Sequence, residues 1–91
     1  MDFDWDDHKA AKNLKKHRVS FAEAATIFGD PLSRTYGDPD HSFDEHRFIT
    51  IGISERGQLL IVSHTEQEDA IHIISARETT RAERSLYEEE N

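Results

Sequence analysis

A chain of 91 residues with 11 Lys and Arg against 19 Asp and Glu, formal charge -8, has room for one acidic domain, residues 1–91, and not for two independent cores. No apolar run is long enough to cross a bilayer and no basic-then-apolar leader opens the chain, which sets the expectation of a soluble, unexported, cytoplasmic protein with no membrane partner. The absence of cysteine excludes a disulfide framework and thiolate chemistry, so packing and hydrogen bonds must supply the stability.

Asp6 or Asp7 is placed to cap a first helix that runs to about His17, with Ala10, Ala11 and Leu14 on its apolar side and Phe3 and Trp5 just outside it. Basic residues concentrate here: Lys9, Lys12, Lys15, Lys16 and Arg18, with His17 among them. Residues 1–34 hold six basic and six acidic side chains, whereas residues 35–91 hold five and thirteen. On a helix these lysines spread over a broad face, which suits either a phosphate backbone or plain solvation, and composition favours solvation.

Ser20 and Glu23 have the spacing of a capping box, and Phe21, Ala24, Ala25 and Phe28 continue as the apolar stripe of a second helix. Gly29, Asp30 and Pro31 stop it, and the two helices are expected to form a hairpin. Residues 31–45 read as a loop containing a short strand around 33–36. Three runs rich in Ile, Leu and Val follow at 47–54, 59–65 and 70–77, the pattern of an antiparallel meander.

Four-residue turns would pair Ile53 with Leu60 and Thr65 with Ala70. That register gathers Ile49, Ile51, Ile53, Leu60, Val62, Ile71 and Ile73 beneath the helices, on the face that also carries Arg47, His64, Ser75 and Arg77. Arg47 then stands near His64 and Glu66 at one end, with Arg77 toward the other. The opposite face, with Phe48, Leu59, Ile61 and Ile74, is too apolar to be left to water and calls for a further segment or a partner. Thr80 and Glu83 form a second capping box that opens a last helix through Leu86 and Tyr87, and Glu88, Glu89 and Glu90 oppose the helix dipole, so its end should fray. The expected fold is α+β: an N-terminal helical hairpin packed on a three- to four-stranded antiparallel sheet, with a C-terminal helix.

Metal-free cleavage of RNA needs a base for the 2′-hydroxyl, cations for the charge developing on phosphorus and an acid for the leaving oxygen. Side chains of suitable chemistry are Lys12, His17, Arg47, His64, Arg77, Arg81 and Tyr87. Each also has an ordinary role: Arg47 paired with Glu66, Arg77 capping carbonyls or paired with Glu55, and His64 as a hydrogen-bonded core histidine, which is the commoner fate of a histidine among isoleucines. Asp38, Asp40, His41 and His46 have metal-ligand chemistry, but no ligand pair such as two histidines one helical turn apart supports a site, and neither metal nor cofactor is assigned.

Taken together, these segments resemble the BrnT toxins, a family related in fold to the RelE-type ribonuclease toxins. The resemblance is carried by Phe3-Asp4-Trp5-Asp6, Lys9, Lys12-Asn13-Leu14, Lys16-His17, Val19-Ser20-Phe21 and Glu23-Ala24, then Asp30-Pro31, Asp38-Pro39-Asp40-His41-Ser42, Glu45 and Arg47 leading into Ile51-Gly52. It closes with His64-Thr65, Ile73-Ile74-Ser75-Ala76-Arg77, Thr80, Glu83, Arg84 and Tyr87. It implies a metal-independent endoribonuclease that halts translation, held inactive by a BrnA-type antitoxin, with DNA bound only through the toxin–antitoxin complex. At the matched positions it implies Arg47 and Arg77 for phosphate and transition-state charge, Lys12 and His17 for binding or proton transfer, and Lys9, Lys16 and Arg81 as RNA contacts. His72 departs from relatives that carry a basic residue there. The competing reading is a non-catalytic protein-binding module, favoured by the negative charge and the lack of a sharp catalytic signature.

Overall fold

The computed structural model describes residues 1–41 and 46–89, so Ser42 and Glu45 of the motif and Glu90 of the acidic end lie outside it. In chain order the elements are β1 (Asp2–Trp5), α1 (Asp7–His17), α2 (Phe21–Thr26), β2 (Arg34–Gly37), β3 (Arg47–Ile53), β4 (Leu59–Gln67), β5 (Ala70–Glu78) and α3 (Arg81–Glu89), with single 3-10 turns at Ile27–Gly29 and Pro39–His41. Among the described residues no helix is long and apolar enough to cross a membrane.

The fold is α+β but corrects the expected arrangement of a helical hairpin on an antiparallel sheet. One mixed sheet of five strands runs in the order β1-β5-β4-β3-β2. The chain opens with a strand, and β1 joins β5 in parallel, Phe3 opposite Ile71 and Trp5 opposite Ile73. Four residues of alternating burial are too short a signal to declare a strand, and their partner lies at the far end of the sequence. The helices therefore form the crossover from the β1 edge to the β2 edge and not a free-standing hairpin: α1 and α2 pack on β5, and the Ile27–Gly29 turn packs on β3. Gly52 permits that last approach, since a Cβ there would lie 3.1 Å from the Ile27 carbonyl oxygen and 3.1 Å from Ser33 Cβ.

Local chemistry fixes the helix ends. The Asp6 carboxylate accepts the amides of His8 at 2.8 Å and Lys9 at 3.2 Å, and these bonds, that from Lys9 foremost, hold its pKa below the ordinary value. Helix α1 ends at Arg18, whose φ of 61° places it in the left-handed region. Ser20 accepts the Glu23 amide at 3.0 Å, but the return half of the box is not made. Instead the Glu23 carboxylate takes the Ser54 hydroxyl at 2.7 Å and ties α2 to the β3–β4 loop. Val19, Phe21, Ala24 and Ile27 from this layer close over Leu60, Val62, Ile71, Ile73 and Ala76.

β1 stops opposite Ile73, which leaves the remaining edge of β5 without a strand. Asn13 of α1 fills the gap. Its buried side-chain amide donates to the Ala76 carbonyl at 2.8 Å and the Val19 carbonyl at 2.9 Å, and accepts the Ala76 amide at 3.1 Å. A side chain thus satisfies backbone groups of β5 that lie beyond the reach of β1.

The register corrects the expected faces. Ile53 pairs with Leu59, so the β3–β4 loop spans residues 54–58, one more than expected, and a slip of one residue exchanges the two faces of a strand. Phe48, Thr50 and Gly52 therefore share the helical side with His64, Val62 and Leu60, and Arg47, Ile49, Ile51 and Ile53 turn to the other. Between β4 and β5 the turn contains only Glu68 and Asp69, and the register shifts at Ser63/His64. This bulge puts Ile71, Ile73 and Ala76 on the helical side, with Ser75 and Arg77 opposite.

The second face is covered in part by α3. Thr80 and Glu83 complete their capping box, Glu83 N–H donating to Thr80 Oγ1 at 3.2 Å and Thr80 N–H to Glu83 Oε1 at 2.9 Å. Tyr87 packs with Ile51 and Ile61 and donates its hydroxyl to Asp30 Oδ2 at 2.7 Å. Burial, reinforced by the Asp30 carboxylate, pushes the tyrosine up to about 12.

Candidate active site

On the face turned away from α1, the sheet and α3 leave a cleft of about 230 Å³. Ile49, Ile61, Ser63 and Ser75 supply its sheet surface, with Ser63 and Ser75 directly opposite across β4 and β5. Arg47 lines it from β3 with Asp38 and His41, and Arg77 lines it from β5 with Glu83 of α3.

Arg77 is held as a fork. Its Nη1 donates to Glu83 Oε1 at 2.8 Å and its Nη2 to Glu83 Oε2 at 2.9 Å, while Nη1 also reaches the Glu78 carbonyl at 3.2 Å. The Arg77 guanidinium brings the Glu83 carboxyl down to about 2 against the opposing effect of burial, and the same bonds raise Arg77 above its ordinary value. With 41% of its side chain exposed, Arg77 still presents cationic surface to the cleft. The Arg47 Nε lies 3.4 Å from Asp38 Oδ2 and, among the described residues, is buried without a hydrogen-bond acceptor of its own. Asp38 is buried, as an acid is only when charge or hydrogen bonds compensate it, and its Oδ2 also receives His41 Nδ1 at 3.1 Å.

Of the residues expected to act together, the structure joins Arg47 and Arg77 and separates the others. Lys9, Lys12, Lys16 and His17 ride on α1, the layer over the opposite face. Arg81 is exposed in the first turn of α3 and does not line the cleft. His64 is fully buried, its Nε2 2.7 Å from Thr50 Oγ1 and its ring between Phe28 and Phe48, and burial brings it down to about 4. Tyr87 anchors α3 to Asp30. Arg47 pairs with Asp38 and not Glu66, and Arg77 with Glu83 and not Glu55. Asp38 and His41, first weighed as metal ligands, pair with each other, and among the described residues no group of three or more histidines and acids converges as a metal site.

A family model described as the ribonuclease toxin BrnT of type II toxin–antitoxin systems matches residues 5–83. The chain belongs to the BrnT family. It is the toxin component of a type II toxin–antitoxin system and a ribonuclease, with an antitoxin as its partner, so the reading as a non-catalytic binding module is set aside. The crystal structure of the Brucella abortus ribonuclease toxin, BrnT, superposes with a TM-score of 0.69 at 20% identity over 89% of this chain and 99% of that one, which places the fold among BrnT structures. No curated protein matches the chain.

The cleft holds one element that phosphodiester chemistry asks of a protein, cationic side chains on two sides of a groove that two serines also line. Asp38, His41 and Glu83 were missed as members of this site. The available signal was Asp38 followed by His41, the span of one 3-10 turn, and Glu83 six residues after Arg77 at the start of a helix.

Proposed function

We propose that this BrnT chain, acting as one domain over residues 1–91, cleaves RNA in the groove between Arg47 and Arg77. The observation that supports the reading is that two arginines, Arg47 from β3 and Arg77 from β5, line one cleft. They neutralise the scissile phosphate and the added charge of its transition state, while Ser63 and Ser75 offer hydroxyls to its oxygens. No metal or cofactor takes part. Arg81 contacts RNA beside the α3 wall. Lys9, Lys12, Lys16 and His17, on the far layer, attract RNA at long range and do not act on the phosphate, a narrower role than their sequence suggested.

In this reading the chain works in the cytoplasm and arrests translation, a BrnA-type antitoxin neutralises it, and DNA is met only through the toxin–antitoxin complex. The test is induced expression in bacteria together with purified protein and RNA, with and without chelator. Wild type should arrest growth and cleave with chelator present. R77A and R47K should lower cleavage by about 10²-fold or more with unchanged circular dichroism, the usual scale for losing one donor to a developing anion. Arg47→Lys is preferred to alanine because it keeps a cation beside buried Asp38. Full activity in both variants refutes the assignment.

A further inference from the structure

The cleft contains an acid–histidine pair that phosphate neutralisation leaves unused. We propose that His41 is the general base of the cleavage reaction and that Asp38 is its positioning residue; this rests on the reading of the Arg47–Arg77 cleft as the site of cleavage.

Asp38 is 7% exposed, and its polar atoms are engaged on several sides. Its Oδ1 accepts the Asp40 amide at 3.0 Å, and its Oδ2 faces His41 Nδ1 at 3.1 Å and Arg47 Nε at 3.4 Å. Its own amide donates to the Arg47 carbonyl at 3.1 Å, and its carbonyl accepts the His41 amide at 3.1 Å. The Pro39–His41 turn is thereby fixed to the start of β3 by backbone and side chain together. A carboxylate can only accept, so it selects the tautomer with the proton on Nδ1 and leaves the Nε2 lone pair of His41 free.

The His41 side chain is 45% exposed and lines the same groove as both arginines and both serines. An ion pair with one partner half in water adds little stability, whereas a buried acid that fixes one tautomer of an accessible imidazole is how a base is oriented for proton transfer. His64 and His72 do not offer this. His64 is sealed in the helical layer, and His72 pairs with Asp4 at the β1 edge, outside the cleft lining. Among the described residues, the charged groups sharing the cleft with His41 are Asp38 and Asp40 from its own turn, Arg47 from β3, Arg77 from β5 and Glu83 from α3.

In the reaction His41 Nε2 takes the 2′-hydroxyl proton as the 2′-oxygen forms its bond to phosphorus. The bond from phosphorus to the 5′-oxygen breaks, its electron pair stays on that oxygen, and the oxygen takes a proton from water. The imidazolium then gives up its proton, neutralising the hydroxide. The products are a 2′,3′-cyclic phosphate and a 5′-hydroxyl end.

The experiment uses the full chain with a labelled RNA oligonucleotide, and its 2′-deoxy analogue as a binding probe. H41A and H41N, the latter retaining a side-chain N–H for Asp38, should lower kcat by about 10²-fold or more, with binding of the analogue within about threefold of wild type. The acid limb of the wild-type kcat/KM profile should vanish in both, and wild-type product should carry the cyclic phosphate. Wild-type rates in H41A and H41N, or a loss of rate that leaves the acid limb intact, overturn the role of His41. If R77A is impaired in that case, the cleft stands without this base. Wild-type rates in both R77A and R47K move the reaction elsewhere and overturn the two readings together.

Discussion

Replacing Asn13 with alanine removes three buried hydrogen bonds at once, to both backbone groups of Ala76 and to the Val19 carbonyl. Each is worth about 1 kcal/mol net, and stranding the Ala76 amide away from water adds about 1 kcal/mol more. The better helix propensity of alanine returns about 0.5 kcal/mol. The expected loss is therefore about 3.5 kcal/mol, a large share of the stability of a domain this size. Urea unfolding followed by circular dichroism should show the midpoint falling by about 2 M at an m value near 1.5 kcal/mol per M, with m unchanged. Asn13→Asp should be worse than Asn13→Ala, because a carboxylate would then face the Val19 and Ala76 carbonyls in place of a donor. A loss below about 0.5 kcal/mol for Asn13→Ala, or an aspartate variant more stable than the alanine one, would refute the view that this amide completes the edge of β5.

Acid should act on the fold through His64. Its pKa is lowered from 6.5 to about 4, so as pH falls through that window the unfolded chain takes a proton that the folded chain refuses, and stability drops by about 3 kcal/mol across it. Comparing urea unfolding at pH 7 and pH 4 in wild type and in His64→Gln, which retains a partner for Thr50, should show this component missing from the variant; equal slopes would count against it. Arg18 takes φ 61° at the end of α1, where glycine carries no side-chain strain, so Arg18→Gly should stabilise by about 0.5 kcal/mol and raise the melting temperature by a few degrees. A lowered melting temperature would contradict the assignment of strain to that position.

The legible parts of the fold were those written in local chemistry. Asp6, Ser20 and Thr80 announce the three helices, and β2 overlaps the expected short strand around 33–36, shifted by one residue, because caps and turns depend on neighbours a few residues apart. β1 was hidden since a four-residue strand takes its meaning from a partner at the other end of the chain. The faces were hidden for a different reason. β3 reads Arg-Phe-Ile-Thr-Ile-Gly-Ile, apolar on both sides, so its orientation is set by the length of the loop that follows. The bulge in β4–β5 bears no sequence mark of its own.

The candidate site divides in the same way. Arg47 and Arg77 were selected on chemical type, but the register expected put them toward opposite ends of the helical face, whereas the longer loop and the bulge deliver both to one groove. Lys12 and His17 stood out through a basic run whose helix covers the other side. Asp38 and His41 were weighed only as metal ligands, because a loop residue gains its place in a cleft only from the backbone bonds that fix it, here those to Arg47.

The loop at 54–58 and the bulge at Ser63/His64 impose a condition on how this chain can drift in length. Dropping one residue from either would carry a guanidinium into the oily layer beneath the helices and bring a hydrocarbon side chain into the groove, although both arginines remained in the sequence. The number of residues at these two joints is therefore held more tightly than in the rest of the loops, and gains and losses there must come in pairs.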